Sequence, residues 1–402
     1  MPLHARPDFL RSIRPHCGDG LVKVLTGLRR SGKSSLLRLI AADTAQKLDL
    51  PKEDFLFLDF EDSSLRRLTR PEILHDYIAE KAKGARKRLT VFLDEVRAVE
   101  SWEKVVRSLQ DRGRCDLFVT TSGADPLSGE STLLAGRTVR FEVTPYSFRE
   151  FRAVRKTVCA DVAEETIWRD YLAWGGMPAV TNFADVSDAK LYLIDVFRSI
   201  LLSDVTARRN LRDTRALETT LAFAAERCGD RISLGDFAAF LASQRQTVSR
   251  DTIADYLRAA ADAGLLLEVE GDDPNPPLRR RPERFFADHG FREALSSGLN
   301  KRDPEPALKN IVFLELRRRG WRVQFGAGGK RAVDFVAEKE EERLYVQVRS
   351  FLDSREAVER AFEPFYDIPD NRPKLVLSPD PVLRPQDGFR HENLREWLLK
   401  DD

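Results

Sequence analysis

Residues Gly27-Leu28-Arg29-Arg30-Ser31-Gly32-Lys33-Ser34 carry the spacing G-x-x-x-x-G-K-[ST]. Each fixed position has a chemical reason. Glycines let the backbone wrap closely enough for its N–H groups to face phosphate oxygens. A helix that starts at the end of the loop aims its positive pole at the same anion. Lys33 can reach β- and γ-phosphates, and the Ser34 hydroxyl can ligate Mg²⁺. The expected ligands are therefore ATP and Mg²⁺, with nucleotide contacts from Gly27, Arg30, Ser31, Gly32, Lys33, Ser34 and Ser35. Leu93-Asp94-Glu95 supplies the matching acids. Asp94 would hold Mg²⁺ together with Ser34, and Glu95 would polarise the attacking water. The plainer alternative for these two carboxylates is a solvated strand end.

Further polar groups fall where strands should end. Asp59, Glu61 and Asp62 close one apolar run, and Thr120, Thr121 and Ser122 close another. One of these hydroxyls could contact the γ-phosphate or the water, and Ser122 is the preferred one. It completes a catalytic set with Glu95 and Lys33. Arg137, Arg208 and Arg209 are candidates for an arginine finger, in cis or from a neighbouring subunit, which would stabilise charge in phosphoryl transfer.

The elements that must position these residues are legible in the hydrophobic pattern. LVKVLT (21–26) is a short apolar run ending at glycine, which reads as a buried strand entering a turn. SLLRLIAADTAQKL has helical spacing. FLFLDFED (55–62), LTVFLDEV (89–96) and DLFVTTSGAD (116–125) read as strands, separated by helical stretches at 71–88 and in SWEKVVRSLQDRG. Strands alternating with helices imply an α/β domain with a largely parallel sheet. From about residue 145 the pattern turns helical, with a break at Gly175-Gly176 and Pro178. Residues 231–271 read as two short helices and a strand, and 272–284 as a Pro-rich linker or wing loop. The end of the chain, from about 305, reads as helix, three strands, helix and strand.

Composition sets outer bounds. A chain of 402 residues suggests several domains at roughly 100–200 residues each. A formal charge of +1 gives no overall signal for nucleic acid, although a local basic patch stays open. Cys17, Cys115, Cys159 and Cys228 are too scattered for a zinc site and are expected as reduced thiols. No apolar run reaches the roughly 20 residues that span a bilayer, so no membrane partner and a cytoplasmic location are expected.

Taken in order, GLRRSGKSSLL, LDEVRAVESWEKVVRSL, TTSGADPLSGESTLLAGR, PYSFREF, YLAWGGMPAV, RFFADHGFREAL, NIVFLELRRRGWRV, AVDFVAE and YVQVRS resemble the prokaryotic AAA-type ATP-binding proteins. These join an N-terminal AAA domain to a C-terminal region of unknown function. The resemblance implies an AAA-type P-loop core (1–145), a helical lid (146–215), a winged-helix-like domain (216–284) and a small α/β domain similar to PD-(D/E)XK nucleases (285–402). The family often reads Gly-Ser where this chain has Ser122-Gly123, and Glu where it has Ala332.

In the winged-helix-like segment, Gln244, Arg245, Gln246, Ser249, Arg250 and Arg258 could meet DNA, mostly at phosphates. Ser249 or Asp251 would cap the second helix. Asp251, Asp255 and Asp262 on the same helix oppose a strongly basic face. A nuclease of the implied type needs an acid opening one strand and acid-x-Lys on the next. Here Asp334 suits the first position, but Gln347-Val348-Arg349 fills the second, with Glu315 as a further candidate ligand. A neutral Gln oxygen and an Arg in place of Lys make the centre degenerate. The resulting expectation is an ATPase that couples Mg²⁺-dependent hydrolysis to action on DNA, possible as a homo-oligomer. The alternatives are a nucleotide-dependent switch for a protein partner and an ATP-regulated nuclease.

Overall fold

The computed structural model describes residues 3–47, 49, 51–123, 133–206, 213–271, 282–296, 303–326 and 332–400. Arg208 and Arg209 fall outside this set, as does most of the 272–284 segment. The chain divides into two compact units, Met1–Thr144 and Pro145–Asp402.

The first unit is built on five parallel strands: β1 (Val22–Thr26), β2 (Phe55–Asp59), β3 (Leu89–Asp94), β4 (Cys115–Thr120) and β5 (Thr138–Glu142). Their order is β2-β3-β4-β1-β5, which puts β1 and β4 inside the sheet. Four helices accompany them: α1 (Pro7–Ile13), α2 (Lys33–Lys47), α3 (Pro71–Gly84) and α4 (Trp102–Asp111). Side chains that alternate along a strand go to opposite faces. Val91 and Leu93 of β3, with Leu117 and Val119 of β4, join Leu74, Ile78, Val105 and Val106 from α3 and α4. Phe92 and Phe118 point the other way, stack at 4.7 Å and meet Leu36, Leu37 and Ile40 of α2. A sheet covered on both faces explains why β3 and β4 are apolar almost throughout.

Within the second unit, α5 (Phe148–Val158) starts with a capping box between Ser147 and Glu150. Next come α6 (Glu164–Trp174), α7 (Val186–Ile200), α8 (Thr214–Glu226), α9 (Leu234–Ser243) and α10 (Arg250–Asp262). A two-stranded antiparallel ladder of β6 (Leu266–Val269) and β7 (Glu283–Phe286) follows, then α11 (His289–Leu295) and α12 (Glu305–Arg318). The chain ends in a mixed sheet: β8 (Arg322–Gln324), β9 (Phe335–Lys339), β10 (Glu342–Val348), β11 (Lys374–Ser378) and β12 (Arg390–Asn393). Its order is β12-β11-β10-β9-β8, antiparallel from β8 to β10 and parallel from β10 to β12. Helix α13 (Arg355–Tyr366) connects β10 to β11, and α14 (Leu394–Leu399) closes the chain.

The glycine pair that ends α6 is part of a tight interlock. The Gly176 N–H donates to Asp288 Oδ2 at 2.7 Å, and its carbonyl accepts from Tyr146 N at 2.7 Å. Asp288 Oδ1 accepts from Gly290 N at 2.8 Å, and the buried His289 ring meets the Tyr171 carbonyl at 2.6 Å. A Cβ on Gly175 would collide with the Asp288 carboxylate, and one on Gly176 with the Tyr146 carbonyl. Three distant stretches of sequence, PYSF, AWGGM and ADHGF, are thus one packed object. Burial pushes the Asp288 carboxyl up to about 7 and the His289 imidazole down to about 4.

The sequence pattern misses α1, β5, β7, α11, β12 and α14. α1 is short, and β5 is half-exposed. β12 reads RHEN and has no apolar alternation, and α14 has only six residues. The apolar strand runs are also longer on paper than in the fold. β2 stops at Asp59, β3 at Asp94 and β4 at Thr120, because the chain turns at the carboxyl edge of the sheet. Among the described residues, no helix is long and apolar enough to cross a membrane, and all four cysteines are free thiols.

Candidate nucleotide site

Strand β1 is buried along its whole length and delivers the chain to Gly27. There φ is +143°, and a Cβ would strike the Val143 carbonyl oxygen, so only glycine fits. Gly32 has φ +98°, and α2 begins at the next residue. The loop therefore ends on the N-terminus of a 15-residue helix, a place that favours an anion. The Ser31 and Thr121 hydroxyls are buried here with no hydrogen-bond partner among the described residues. Ser35 and Arg30 are exposed, and Arg30 has φ +64°.

Lys33 is 3% exposed. Its Nζ donates to the Leu28 carbonyl at 3.1 Å and the Gly27 carbonyl at 3.3 Å, and stands 3.8 Å from Glu95 Oε1. The ammonium thus lies against the inside of its own loop, on neutral acceptors that phosphate oxygens can replace.

The acids form a connected set with three hydroxyls. Asp94 Oδ1 accepts from Ser34 Oγ at 3.1 Å and from Thr120 Oγ1 at 2.6 Å. Thr120 Oγ1 in turn accepts from the Glu95 backbone N–H at 2.8 Å. Glu95 Oε1 accepts from Ser122 Oγ at 2.8 Å. Glu95 itself has φ +50°, a left-handed conformation unusual for a residue with a side chain, which turns its carboxylate off the line of β3. Burial raises the Asp94 carboxyl above its usual range, opposed by the hydroxyls of Thr120 and Ser34.

Thr120 holds both acids, although the hydroxyl preferred from sequence is Ser122. Strand register carries the signal that finds it. Leu93 pairs with Val119 across β3 and β4, so the next positions, Asp94 and Thr120, lie side by side.

Of the other sequence candidates, Asp59 stays beside the site, opposite Asp94 in the β2–β3 register, while Glu61 and Asp62 lie past the end of β2. Asp59 binds Arg38 at 2.8 Å, Glu61 lies 3.8 Å from Arg29, and Asp62 caps the following turn through the Ser64 N–H. Arg137 does not reach this site within its own chain. Its carbonyl accepts from Val22 N at the start of β1, five residues of extended strand away from Gly27, and its guanidinium pairs with Asp111. The parallel pairing of β5 with β1 forces this, since it puts the beginning of both strands at the same edge.

The residues present suit ATP with Mg²⁺. The buried Ser31 hydroxyl of the loop has no hydrogen-bond partner among the described residues, and Ser34 with Asp94 is a pair of hard oxygen donors. Among the described residues, no group of three or more His, Cys, Asp or Glu could hold a metal alone. Mg²⁺ commonly uses one or two protein carboxylates and completes its shell with phosphate and water.

The metal centre expected around Asp334 in the second unit differs from its expectation. Glu315 is not part of it. It is 2% exposed and is held by Arg318 and Arg319 on its own helix, the latter at 2.9 Å. The residues of α12 that face Asp334 are Lys309, at 2.8 Å, and Glu305, which binds Lys309 at 3.3 Å. Asp334 Oδ2 accepts from Val348 N at 2.8 Å and lies 3.1 Å from Arg349. Gln347 Oε1 accepts from the Asp334 N–H at 3.1 Å. These residues do not suit Mg²⁺, because the carboxylate is already saturated by two cations and a backbone donor.

A family model described as an AAA domain matches residues 19–152, from the turn before β1 into α5. A second, a domain of unknown function (DUF8612), matches residues 165–303. An uncharacterized protein of Haemophilus influenzae is 30% identical over 404 residues, covering 98% of each chain. The chain belongs to the same family as that protein. Uncharacterized protein MJ1544 of Methanocaldococcus jannaschii is 28% identical over 308 residues, 75% of this chain and 67% of that one.

The family thus joins an AAA ATPase domain, with the α/β fold and parallel sheet described above, to a C-terminal region without assigned function. Similar solved structures include a Thermotoga maritima RuvB variant at 15% identity, covering 71% of this chain and 94% of that one with a TM-score of 0.34. C. elegans PCH-2 has 14% identity, 64% and 69% coverage and a TM-score of 0.32. AMPPCP-bound DnaA from Aquifex aeolicus has 11% identity, 63% and 86% coverage and a TM-score of 0.31. These are loose likenesses.

Proposed function

We propose that this protein is an ATPase whose first unit binds ATP with Mg²⁺ and hydrolyses it to ADP and phosphate. The observation that carries this reading is the connected set Lys33, Ser34, Asp94, Thr120, Glu95 and Ser122, in which each residue has a polar atom within 3.8 Å of another member. Lys33 would leave the Gly27 and Leu28 carbonyls for phosphate oxygens and neutralise charge as it builds there. Glu95, aimed by the Thr120 and Ser122 hydroxyls, would take a proton from the water that attacks the γ-phosphorus, while the bond to the β,γ-bridging oxygen breaks and releases ADP. Bound Mg²⁺ would supply further charge neutralisation on the phosphates.

We further assign the hydrolysis to work on DNA. The support is α9, a short turn and α10, followed by the β6–β7 ladder, an order that fits a winged helix. Gln244, Arg245, Ser249, Arg250 and Arg258 of this segment are exposed. Ser249 is the cap of α10, accepting from Thr252 N, and Arg258 lies 3.5 Å from Asp255. Gln246 leaves the set, because its amide donates to Thr219 at 3.1 Å. In this reading residues 146–215 are the lid, 216–284 the winged-helix-like part and 285–402 the nuclease-like part. The active form is a cytoplasmic homo-oligomer, in which Arg137 would serve a neighbouring copy.

The test is phosphate release from MgATP with and without single-stranded, duplex and branched DNA. Turnover that DNA stimulates and Lys33→Ala abolishes supports the whole reading. Tight ATP binding without a DNA effect would replace it with a switch for a protein partner. No nucleotide binding would remove it entirely.

A further inference from the structure

The centre around Asp334 uses none of the residues of the nucleotide site, and it contains a residue that its motif does not predict. Asp334 stands just before β9, and Gln347 and Arg349 lie at the end of β10. Glu305 and Lys309 sit one turn apart on α12 and face them. Two carboxylates, Glu305 and Asp334, meet two cations, Lys309 and Arg349. Lys309 Nζ lies 2.8 Å from Asp334 Oδ1 and 3.3 Å from Glu305 Oε1. Arg349 lies 3.1 Å from Asp334 Oδ2 and 3.4 Å from Glu305 Oε1. Each cation therefore bridges both acids.

A divalent ion needs carboxylates whose charge is still uncompensated and oxygens still free to bind. Neither condition holds. The charge of these four side chains sums to zero, the neighbouring Glu283 is paired with Arg231 at 3.5 Å, and Asp334 Oδ2 also accepts the Val348 N–H at 2.8 Å. The neutral side-chain oxygen of Gln347 accepts the Asp334 N–H at 3.1 Å, and the Val348 carbonyl accepts from Arg349 at 2.7 Å. The ammonium is also well sheltered, with 20% of the Lys309 side chain exposed. Buried like charges repel strongly when their counter-charge is removed, so the two acids depend on it.

We propose that Lys309 is the resident cation of this centre: its ammonium holds the position between Glu305 and Asp334 that a divalent metal would take, and the second unit binds no metal there. The four side chains then act as a fixed pin that joins α12 to β9 and β10. Removing the ammonium leaves the two facing carboxylates with Arg349 as their remaining bridging cation, one negative charge in excess, and should create a metal site that the natural chain lacks.

The experiment uses the full chain without nucleotide and follows melting temperature in EDTA and in millimolar Mn²⁺, with Mn²⁺ binding measured by equilibrium dialysis. Wild type should melt at the same temperature in both and bind no Mn²⁺ that Asp334→Asn removes. Lys309→Ala should melt lower in EDTA and recover most of the loss in Mn²⁺. Lys309→Ala with Asp334→Asn should not recover. Lys309→Arg, which keeps the charge, should ignore Mn²⁺. A wild-type Mn²⁺ site lost on Asp334→Asn overturns the proposal, and so does a folded Lys309→Ala protein that Mn²⁺ neither binds nor stabilises. If Lys309→Ala does not fold, the wild-type dialysis alone decides, because bound Mn²⁺ that depends on Asp334 refutes the idea and its absence upholds it.

Discussion

Replacing Thr120 by valine isolates a single hydroxyl. The two side chains have nearly the same shape, so the fully buried position keeps its packing. What disappears is one donor to Asp94 at 2.6 Å and one acceptor for the Glu95 N–H at 2.8 Å. A hydrogen bond to a charged group contributes about 1.5–3 kcal/mol, and a buried backbone N–H left alone costs about 1–3 kcal/mol. The bond from the Glu95 N–H is only partly buried, so water can recover part of the second loss. The net effect on stability should be about 2–4 kcal/mol.

Turnover should suffer separately. A general base contributes roughly 10²–10⁴ in rate, and a misaimed Glu95 should lose about 10–100-fold of that in kcat. ATP affinity should change little, because Thr120 lies behind the acids. The pH profile adds a signature that stability alone does not produce. The Thr120 hydroxyl favours the ionised form of Asp94, whose carboxyl burial already pushes up. Without it the carboxyl rises further, and activity should fall away at a higher pH on the acid side. Thr120→Ser keeps the hydroxyl and should restore rate and profile together. The measurements are steady-state MgATP hydrolysis across pH, nucleotide affinity and thermal melting. A folded Thr120→Val enzyme with kcat within about twofold of wild type and an unmoved acid limb would refute the role given to this hydroxyl.

Two other perturbations read different parts of the molecule. Gly27→Ala adds a Cβ at φ +143° against the Val143 carbonyl, so backbone strain of about 1–3 kcal/mol comes on top of a collision. ATP binding, followed with a fluorescent analogue, should be lost while the second unit still melts as in wild type. Glu283 titrates under burial and the nearby Asp334, which push its carboxyl up to about 8. An unfolded chain releases that proton near ~4.3, so the stabilising contribution is complete below that value and disappears as pH rises toward 8. Glu283→Gln cannot titrate there, and its melting temperature should fall less steeply than wild type over this interval. An equal slope in the two proteins would remove Glu283 from the account.

What the sequence discloses depends on whether neighbours along the chain are also neighbours in space. Gly27–Ser34 is a single turn and the mouth of one helix, so its spacing alone specifies the geometry. Asp94 and Glu95 are legible because a buried parallel strand is apolar until the point where it leaves the sheet. Thr120 is harder, since its role comes from a register between two strands and the residues it joins lie 25 and 26 positions away. Arg137 illustrates the limit for a residue within its own chain. Its motif carries no information on which edge of the sheet it will reach, and β5 pairs with β1 so as to bring it to the far one.

The centre around Asp334 makes the same point at higher resolution. The strand residues Asp334, Gln347 and Arg349 follow from the motif that the family resemblance implies, and the fold brings them together. Glu315 could not be judged this way, because any acid on an amphipathic helix is a plausible ligand until its face is known. Residues three or four apart share a face, and Glu305 and Lys309 satisfy that rule toward β9 and β10, while Glu315 satisfies it toward Arg318 and Arg319. The lysine was hidden for a related reason. A motif that seeks metal ligands looks for acids, and a side chain that replaces the metal carries the opposite charge. The missing acid at position 347 and the ammonium at 309 are then two parts of one change, and each would be unstable without the other. A second carboxylate at 347 beside Asp334 would call for a divalent cation, and a divalent cation would expel Lys309. The Gln347→Glu, Lys309→Ala pair should accordingly bind Mn²⁺ more tightly than Lys309→Ala alone.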